Sequence, residues 1–223
     1  MSTAAKIFFR NSLEKLNITL DSSIRDSIFD YFNDLLDRNK VINLISRQST
    51  LFDSITVHLV DSLTPLQIDL PKKAKMLDLG SGGGLPGMPL LLALQSWKGI
   101  LAESKEKKSA FLSEMADKYG NGRISVFTEF IDSKGKSLPE KASSLDVVTA
   151  RAVDKLSSII SSVSHLIKKD GFLIAYKGPN YLEELKQAEK YLSKSNMLLD
   201  KKLEFTLPFV TAKRTLLFFR KIK

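Results

Sequence analysis

The sequence predicts an α/β fold in which a mostly parallel sheet of seven strands follows a cap of helices. From Met76 onward, short apolar runs alternate with longer amphipathic segments, a pattern typical of repeated βα units. Before that point, the apolar residues between Ile24 and Leu36 fall on one face of a helix. A glycine-rich stretch directly after the first predicted strand indicates a ligand site at the edge of the sheet.

These patterns divide the chain into an N-terminal helical cap, residues 1–70, and a Rossmann-like domain, residues 71–223. Apolar runs predict strands at 76–79, 99–102, 124–127, 146–150, 172–176, 202–205 and 216–220. Amphipathic spacing predicts helices at 105–119, 156–167 and 181–193. Residues 168–171, Lys-Lys-Asp-Gly, should end the middle helix, because basic residues suit a helix C-terminus and glycine suits the following turn.

Composition limits the classes of function. With 223 residues, 43% of them apolar, the chain can bury one sizeable core. The 34 lysines and arginines outnumber the 25 acidic residues, and the net charge of +9 favours an anionic partner, above all nucleic acid. Cysteine is absent, which excludes disulfides and thiolate nucleophiles, and we expect no bound metal. We find neither a signal peptide nor a membrane-spanning run, and therefore expect a cytoplasmic protein.

The most informative stretch is residues 78–87, Asp-Leu-Gly-Ser-Gly-Gly-Gly-Leu-Pro-Gly. Glycine permits positive φ and lets a ligand approach the backbone where a Cβ atom would collide. Pro86 suits a first helical position, since its missing N–H costs nothing there. The stretch therefore predicts a strand that turns sharply into a helix around a nucleotide-type ligand.

Two nucleotide motifs overlap in this stretch. Gly82, Gly84 and Gly87 match the dinucleotide pattern G-x-G-x-x-G. Asp78 and Gly80, together with Gly82 and Gly84, match the D-x-G-x-G-x-G pattern of S-adenosylmethionine methyltransferases. A glycine-rich turn without any ligand is the third possibility.

The residues around the turn favour S-adenosyl-L-methionine as the cofactor. Gly80 is the first glycine after the strand, and counted from it the third dinucleotide position falls on Leu85 instead of a glycine. Asp78 is explained by a cationic ligand, because a carboxylate near the methionine amino group helps to neutralise it. Glu103 follows the second strand, where a carboxylate can accept both ribose hydroxyls, as it also would in a NAD site.

Further motifs extend along most of the chain. They are Asn43-Leu44, His58-Leu59-Val60-Asp61-Ser62-Leu63, residues 78–87 with Pro89, Glu103-Ser104, Lys107-Lys108, Phe111-Leu112, Arg151-Ala152, Lys177-Gly178 and Arg214. In these residues the chain resembles the small-subunit rRNA methyltransferase G family, also called glucose-inhibited division protein B. The resemblance implies a class I methyltransferase fold and methylation of N7 of one guanine in the 530 loop of 16S rRNA.

The resemblance also implies the cofactor contacts. Carried over by position, they are Gly80, Leu85, Ile131, Asp132 and Arg151. The chain departs from the family pattern at three points: Ile45 stands where threonine is frequent, Phe130 where arginine is common, and Glu103 where aspartate is commoner. The assignments on the adenine side rest on the weakest match.

Methylation of guanine N7 needs no general base, because N7 carries a lone pair and no proton. Positioning should therefore dominate catalysis. Arg151 and Lys177 end the fourth and fifth strands, at the sheet edge where open α/β folds bind ligands. An arginine that helps the reaction should contact guanine O6 or phosphate, since a donor on N7 would occupy the reacting lone pair. Arg151 is equally compatible with contact to the methionine carboxylate.

His58 and Asp61 complete the catalytic candidates implied by the resemblance, although a packed histidine and a capping aspartate are the plainer alternatives. Lys177 and Arg214 are candidates for contact with the RNA backbone. Lys107 and Lys108 are further candidates, because they follow Glu103 at the ligand edge; a solvated helix face would explain them equally.

Two other classes of function stay open at this point. A NAD-dependent oxidoreductase would need a catalytic acid or base near the sheet edge, and His58 is the one evident group. A non-catalytic RNA-binding module would keep the fold without transferring a methyl group. The favoured interpretation is a monomeric enzyme whose partner is 16S rRNA or the small ribosomal subunit.

Overall fold

The computed structural model describes residues 2–131, 138 and 144–223. The chain begins with two long helices, α1 (Thr3–Lys15) and α2 (Ser22–Asn39). Short helical segments follow: α3 (Leu51–Ser54), a π-helix (Ile55–Val60), α4 (Asp61–Leu63) and a 3₁₀ turn (Thr64–Gln67). Ser2 caps α1 by accepting a hydrogen bond from the Ala5 amide. The cap predicted from the sequence is thus helical.

Strands and helices then alternate. The elements are β1 (Lys75–Leu79), α5 (Gly87–Ala93), β2 (Lys98–Ala102), α6 (Glu106–Tyr119), β3 (Ile124–Phe127), β4 (Leu145–Arg151), α7 (Leu156–Val163), β5 (Ile167–Lys177), α8 (Tyr181–Lys194), β6 (Met197–Thr206) and β7 (Lys213–Lys221). Their order across the sheet is β3-β2-β1-β4-β5-β7-β6. β1 to β5 are parallel, whereas β7 runs antiparallel to both β5 and β6. The predicted mostly parallel sheet of seven strands is confirmed.

One predicted helix boundary is wrong. The helix expected at 156–167 ends at Val163, and β5 already begins at Ile167. Residues 168–171 therefore belong to a strand, where Asp170 adopts a positive φ of 63°. The pairing with β4 shifts register here, from Leu145 with Ile167 to Val147 with Phe172. Because the bulged residues point into solvent, their charged side chains resemble a helix end in the sequence.

The core does not separate the cap from the sheet. Phe32 and Leu35 of α2 are fully buried in the same apolar cluster as Met88 of α5 and Leu112 of α6. A second apolar cluster, which includes Val148, fills the other face of the sheet beneath α7 and α8. The division at residue 70 remains a prediction, and the cap packs as a layer over the first half of the sheet. None of the described helices is long and apolar enough to span a membrane.

Candidate functional site

A cavity of about 1020 Å³ opens at the carboxyl edge of β1, β2, β4 and β5. Open α/β sheets bind their ligands at this edge. The cap closes one side, through Leu44, Ile45 and the π-helix residues Val57 and His58. The glycine-rich turn after β1 forms a second wall, and the ends of β4 and β5 form a third.

The glycines of the turn serve different purposes. Gly80, Gly82 and Gly84 all adopt positive φ, between 57° and 84°, which explains why side chains are absent at these positions. A Cβ atom on Gly84 would lie 2.7 Å from the Tyr31 hydroxyl and 2.9 Å from Met88 Cγ, so this glycine permits close packing. A Cβ atom on Gly82 would meet nothing closer than the Gly80 carbonyl oxygen at 3.9 Å. Gly82 therefore leaves backbone exposed to the cavity, as a ligand cradle requires.

Asp78 is fully buried behind this turn and does not line the cavity. Its Oδ2 accepts a hydrogen bond from the Gly87 amide at 3.1 Å, and its Oδ1 accepts one from Thr149 Oγ1 at 2.7 Å. Burial raises the pKa of the Asp78 carboxyl to about 6, although the hydrogen bonds oppose this rise. This carboxylate therefore holds the turn and the start of α5 together. The contact between Asp78 and a methionine amino group stays a prediction.

Glu103 lies on the cavity wall where β2 ends. Its Oε2 accepts a hydrogen bond from the Gly82 amide at 3.0 Å, and its Oε1 accepts one from the Lys105 amide at 2.8 Å. A carboxylate has about four lone-pair sites, so each oxygen can accept another hydrogen bond from a ligand. The two backbone bonds fix the orientation of Glu103 at the end of β2, and its contact with a ribose stays a prediction.

Arg151, at the end of β4, is held by the cap. Its Nη1 donates to the His58 carbonyl oxygen at 3.2 Å and to Asp61 Oδ2 at 3.3 Å. Asp61 Oδ2 also accepts from Arg214 Nε of β7 at 3.4 Å, so one carboxylate oxygen joins two arginines. Burial raises the pKa of Asp61, and the two arginines oppose that rise. The predicted residues His58, Asp61, Arg151 and Arg214 are thus brought together.

The His58 ring is neutral at physiological pH. Burial, followed by the positive charges of Arg151 and Arg214, lowers its pKa from 6.5 to about 4. Its Nε2 atom is buried without a hydrogen-bond partner among the described residues. His58 belongs to the π-helix, an irregular helix type that occurs frequently at functional sites. The contact that His58 makes with Arg151 is through its backbone carbonyl oxygen and does not involve the ring.

Lys177, at the end of β5, is engaged within the protein. Its ammonium donates to Glu184 Oε2 at 2.7 Å and to the Asp154 carbonyl oxygen at 3.1 Å, and its side chain is only 11% exposed. Glu184 Oε2 also accepts from the Leu156 amide at 3.2 Å, at the start of α7. Lys177 thus fixes the loop after β4 and retains one of its three donors for a ligand.

Most of the predicted site residues share the cavity. Those that line it are His58, Asp61, Gly80, Gly82, Leu85, Glu103, Lys108, Ile131, Arg151, Lys177 and Arg214. Asp78, Gly84 and Lys107 do not line it. Asp132 lies outside the described residues. Phe130 also lines the cavity and is 72% exposed.

Sequence reasoning missed three contributors. Tyr31 of α2 donates a hydrogen bond to the Gly83 carbonyl oxygen and so ties the cap to the glycine turn. Tyr176 lines the cavity and donates to the Ser62 carbonyl oxygen at 2.9 Å. Glu184 of α8 forms an ion pair with Lys177 of β5. Tyr31 could have been identified from the sequence, because a tyrosine hydroxyl on an apolar helix face needs a hydrogen-bond partner when it is buried.

The strand order, with β7 antiparallel between β5 and β6, and the cavity beside a glycine turn define a class I methyltransferase fold. A dinucleotide-binding Rossmann sheet instead has the order 3-2-1-4-5-6. Among solved structures, M. jannaschii TYW2 in complex with AdoMet superimposes with a TM-score of 0.52 at 15% identity, covering 68% of this chain and 70% of that one.

Sequence comparison is more specific. Residues 24–216 match the family described as rRNA small subunit methyltransferase G, and the chain belongs to this family. The ribosomal RNA small subunit methyltransferase G of Sorangium cellulosum is 35% identical over 83% of this chain and 77% of its own length. The protein of the same name from Lactobacillus helveticus is 32% identical over 95% of this chain and 88% of its own length.

Proposed function

We propose that this chain transfers a methyl group from S-adenosyl-L-methionine to N7 of a guanine in the 530 loop of 16S rRNA. The observation that carries the proposal is family membership over residues 24–216, together with a cavity that joins a glycine cradle to an arginine pair. We further propose that the partner is 16S rRNA or the small ribosomal subunit. The enzyme would act on it in the cytoplasm as a monomer.

The residues of the cavity fit the methyl donor. Gly82 leaves its wall free of side chain, and Glu103 offers oriented carboxylate oxygens where a ribose would lie. Gly80, Leu85 and Ile131 complete the wall that we assign to the donor, while Asp132 remains a proposal from the family resemblance. When bound, S-adenosyl-L-methionine supplies an activated methyl group on a sulfonium.

The chain's own contribution to the reaction is positioning. N7 loses no proton when it is methylated, which agrees with a site whose histidine has a pKa of about 4 and whose buried Asp61 is bound to arginines. Among the described residues, Arg151 finds its acceptors through Nη1 alone, so Nε and Nη2 can donate to guanine O6, a phosphate or the donor's carboxylate. Alignment of reactants can supply about 7–11 kcal/mol in favourable cases.

The direct test uses unmethylated 30S particles and radiolabelled S-adenosyl-L-methionine. We expect one labelled guanine in 16S rRNA, with the label on N7, located by primer extension after chemical cleavage at 7-methylguanine. A Gly82→Asp variant serves as the negative control, because its side chain and charge would fill the cradle. Label in ribosomal protein, on another base, or on a guanine outside the 530 loop would contradict the corresponding part of the proposal.

The two alternative functions predict different results. An oxidoreductase would bind NADH with measurable heat, whereas we expect heat from S-adenosyl-L-methionine and none from NADH in titration calorimetry. A non-catalytic RNA-binding module would bind 30S particles and leave them unlabelled. Either result would replace our proposal.

A further inference from the structure

Three phenylalanines form a surface cluster outside the cavity. The Phe8 ring lies 4.8 Å from the Phe52 ring and 4.9 Å from the Phe209 ring, measured between centroids. Phe52 is 43% exposed and Phe209 is 55% exposed, so two rings of this aromatic triplet present faces or edges to solvent. Because both exposed rings contact Phe8, the triplet forms one apolar patch of the kind found at interaction sites.

The backbone of Phe209 is in an unusual conformation. Its φ is 63°, in the left-handed region that bulky residues rarely enter. The loop that carries it is closed by a hydrogen bond from the Leu207 amide to the Ala212 carbonyl oxygen at 3.0 Å. Residues held in this region are uncommon and concentrate at functional sites.

The aromatic triplet lies within a short length of chain of residues that line the cavity. Phe52 belongs to the helical run that continues into Val57, which lines the cavity about 8 Å further along that run at 1.5 Å per residue. Phe209 is five residues before Arg214, another lining residue, and is separated from it by at most about 18 Å of chain. The Lys177–Thr215 pairing places this loop at the same sheet edge as the cavity.

The charge around the triplet suits an anionic partner. The Lys15 ammonium lies 5.1 Å from the Phe209 ring centroid. Residues 207–214 contain Lys213 and Arg214 and no acidic residue. Exposed Arg47 lies in the sequence between Ile45, which lines the cavity, and Phe52. The acidic residue next to Phe52, Asp53, accepts a hydrogen bond from Thr50. Aromatic rings flanked by cations match the chemistry with which proteins hold single-stranded nucleic acid.

We propose that Phe209 and Phe52 stack an unpaired base of the RNA that flanks the target guanine. The inference rests on the proposed function and adds to it a specificity element outside the cavity. Stacking on Phe209 would fix the acceptor strand while the neighbouring nucleotide enters the cavity. Proteins that bind single-stranded RNA commonly stack its unpaired bases on aromatic side chains.

The test measures binding of unmethylated 30S particles to the full chain saturated with S-adenosyl-L-homocysteine, so that no turnover occurs. We expect Phe209→Ala and Phe52→Ala each to weaken binding by about tenfold, the order expected for one stacked base. Calorimetric affinity for S-adenosyl-L-methionine, the melting temperature and kcat at saturating 30S should stay close to wild type. The matched control is Leu182→Ala, which removes a side chain that is 64% exposed on α8.

Two conservative variants distinguish stacking from general apolar contact. Phe209→Tyr should retain wild-type affinity, whereas Phe209→Leu should lose as much as Phe209→Ala. Equal binding by Phe209→Leu and wild type would overturn the inference. A loss of affinity in the alanine variants for 30S particles but not for protein-free 16S rRNA would also overturn it, because it would indicate contact with a ribosomal protein. If wild type binds but labels no guanine N7, the proposed function fails, while a tenfold loss in the variants still supports an RNA-stacking surface.

Discussion

At the scale of single residues, Asp61 connects most of the site. One oxygen of this buried carboxylate bonds to Arg151 and Arg214, which come from two different strands. The other oxygen, Oδ1, is buried without a hydrogen-bond partner among the described residues. Asp61 therefore acts through the arginines, and its removal should affect catalysis through their positions.

We predict that Asp61→Asn lowers kcat/KM for 30S particles by about 100-fold, because a displacement of about 1 Å in a positioned group has that effect. The free energy of unfolding should fall by about 2 kcal/mol, since Arg151 and Arg214 lose their charged acceptor. Methylation assays and urea unfolding measure the two effects. The control is Asp200→Asn, which breaks the exposed ion pair with Arg220 and should change neither quantity appreciably. Normal turnover by Asp61→Asn would show that the arginines need no anchor.

Substitution should affect donor binding at one glycine of the turn and stability at another. We predict that Gly82→Asp stays folded and loses binding of S-adenosyl-L-methionine, because the new side chain has room only in the cavity. Gly84→Ala should instead lower stability by about 1–3 kcal/mol, since its Cβ atom would collide with Tyr31 and Met88 and its φ of 84° is strained for alanine. Calorimetry and thermal unfolding separate the two effects. Tight donor binding by Gly82→Asp would contradict the proposed cradle.

At the scale of elements, local patterns in the sequence predicted the fold well. The strand at Ile124–Phe127 has the predicted bounds, and the other six lie where predicted but extend further. The end of α7 could not be predicted, because the charges of the bulge in β5 imitate a helix terminus. The bonds that Asp78 makes to the Gly87 amide and to Thr149 could not be predicted either, since they depend on how α5 and β4 pack around it.

Contacts between distant elements carried no sequence signal. The link from Glu184 of α8 to Lys177 of β5 and to the start of α7 depends on tertiary packing alone. The same is true of the Asp61–Arg214 contact, whose residues are separated by 153 positions. The motif residues of the cavity could be predicted, but the side chains that hold them required the structure.

Helix α2 should affect the donor site through one hydroxyl. We predict that Tyr31→Phe lowers stability by about 1 kcal/mol, because the buried Gly83 carbonyl loses its donor, and also weakens donor binding by loosening the glycine turn. The control is Tyr119→Phe, which removes a hydrogen bond to Asp34 away from the cavity. It should leave donor affinity unchanged. Equal donor affinity in both variants would show that the turn holds its shape without the cap.

At the scale of the whole molecule, buried Asp78 and half-buried His58 give stability opposite dependences on pH. The pKa of Asp78 rises from 3.8 to about 6 on folding, so its stabilising contribution is present below pH 3.8 and is lost as pH rises through 6. The pKa of His58 falls from 6.5 to about 4, so its contribution is present above pH 6.5 and is lost as pH falls through 4. Each shift corresponds to about 3 kcal/mol. In the wild-type protein the two slopes largely cancel between pH 4 and 6.

Removing either group should therefore reveal the slope of the other. We predict that the unfolding free energy of Asp78→Asn increases as pH rises from 4.5 to 6.5, because the unfolded state then binds the additional proton at His58. The raised pKa of Asp61 opposes this increase and makes the slope shallower. The unfolding free energy of His58→Asn should decrease over the same range, because the native state then binds the additional proton at Asp78. The raised pKa of Asp61 contributes to this decrease. Urea unfolding at about pH 4.5, 5.5 and 6.5 measures both slopes. Parallel pH profiles for the two variants would contradict this account, since opposite signs follow from a buried acid and a buried base that both favour their neutral forms.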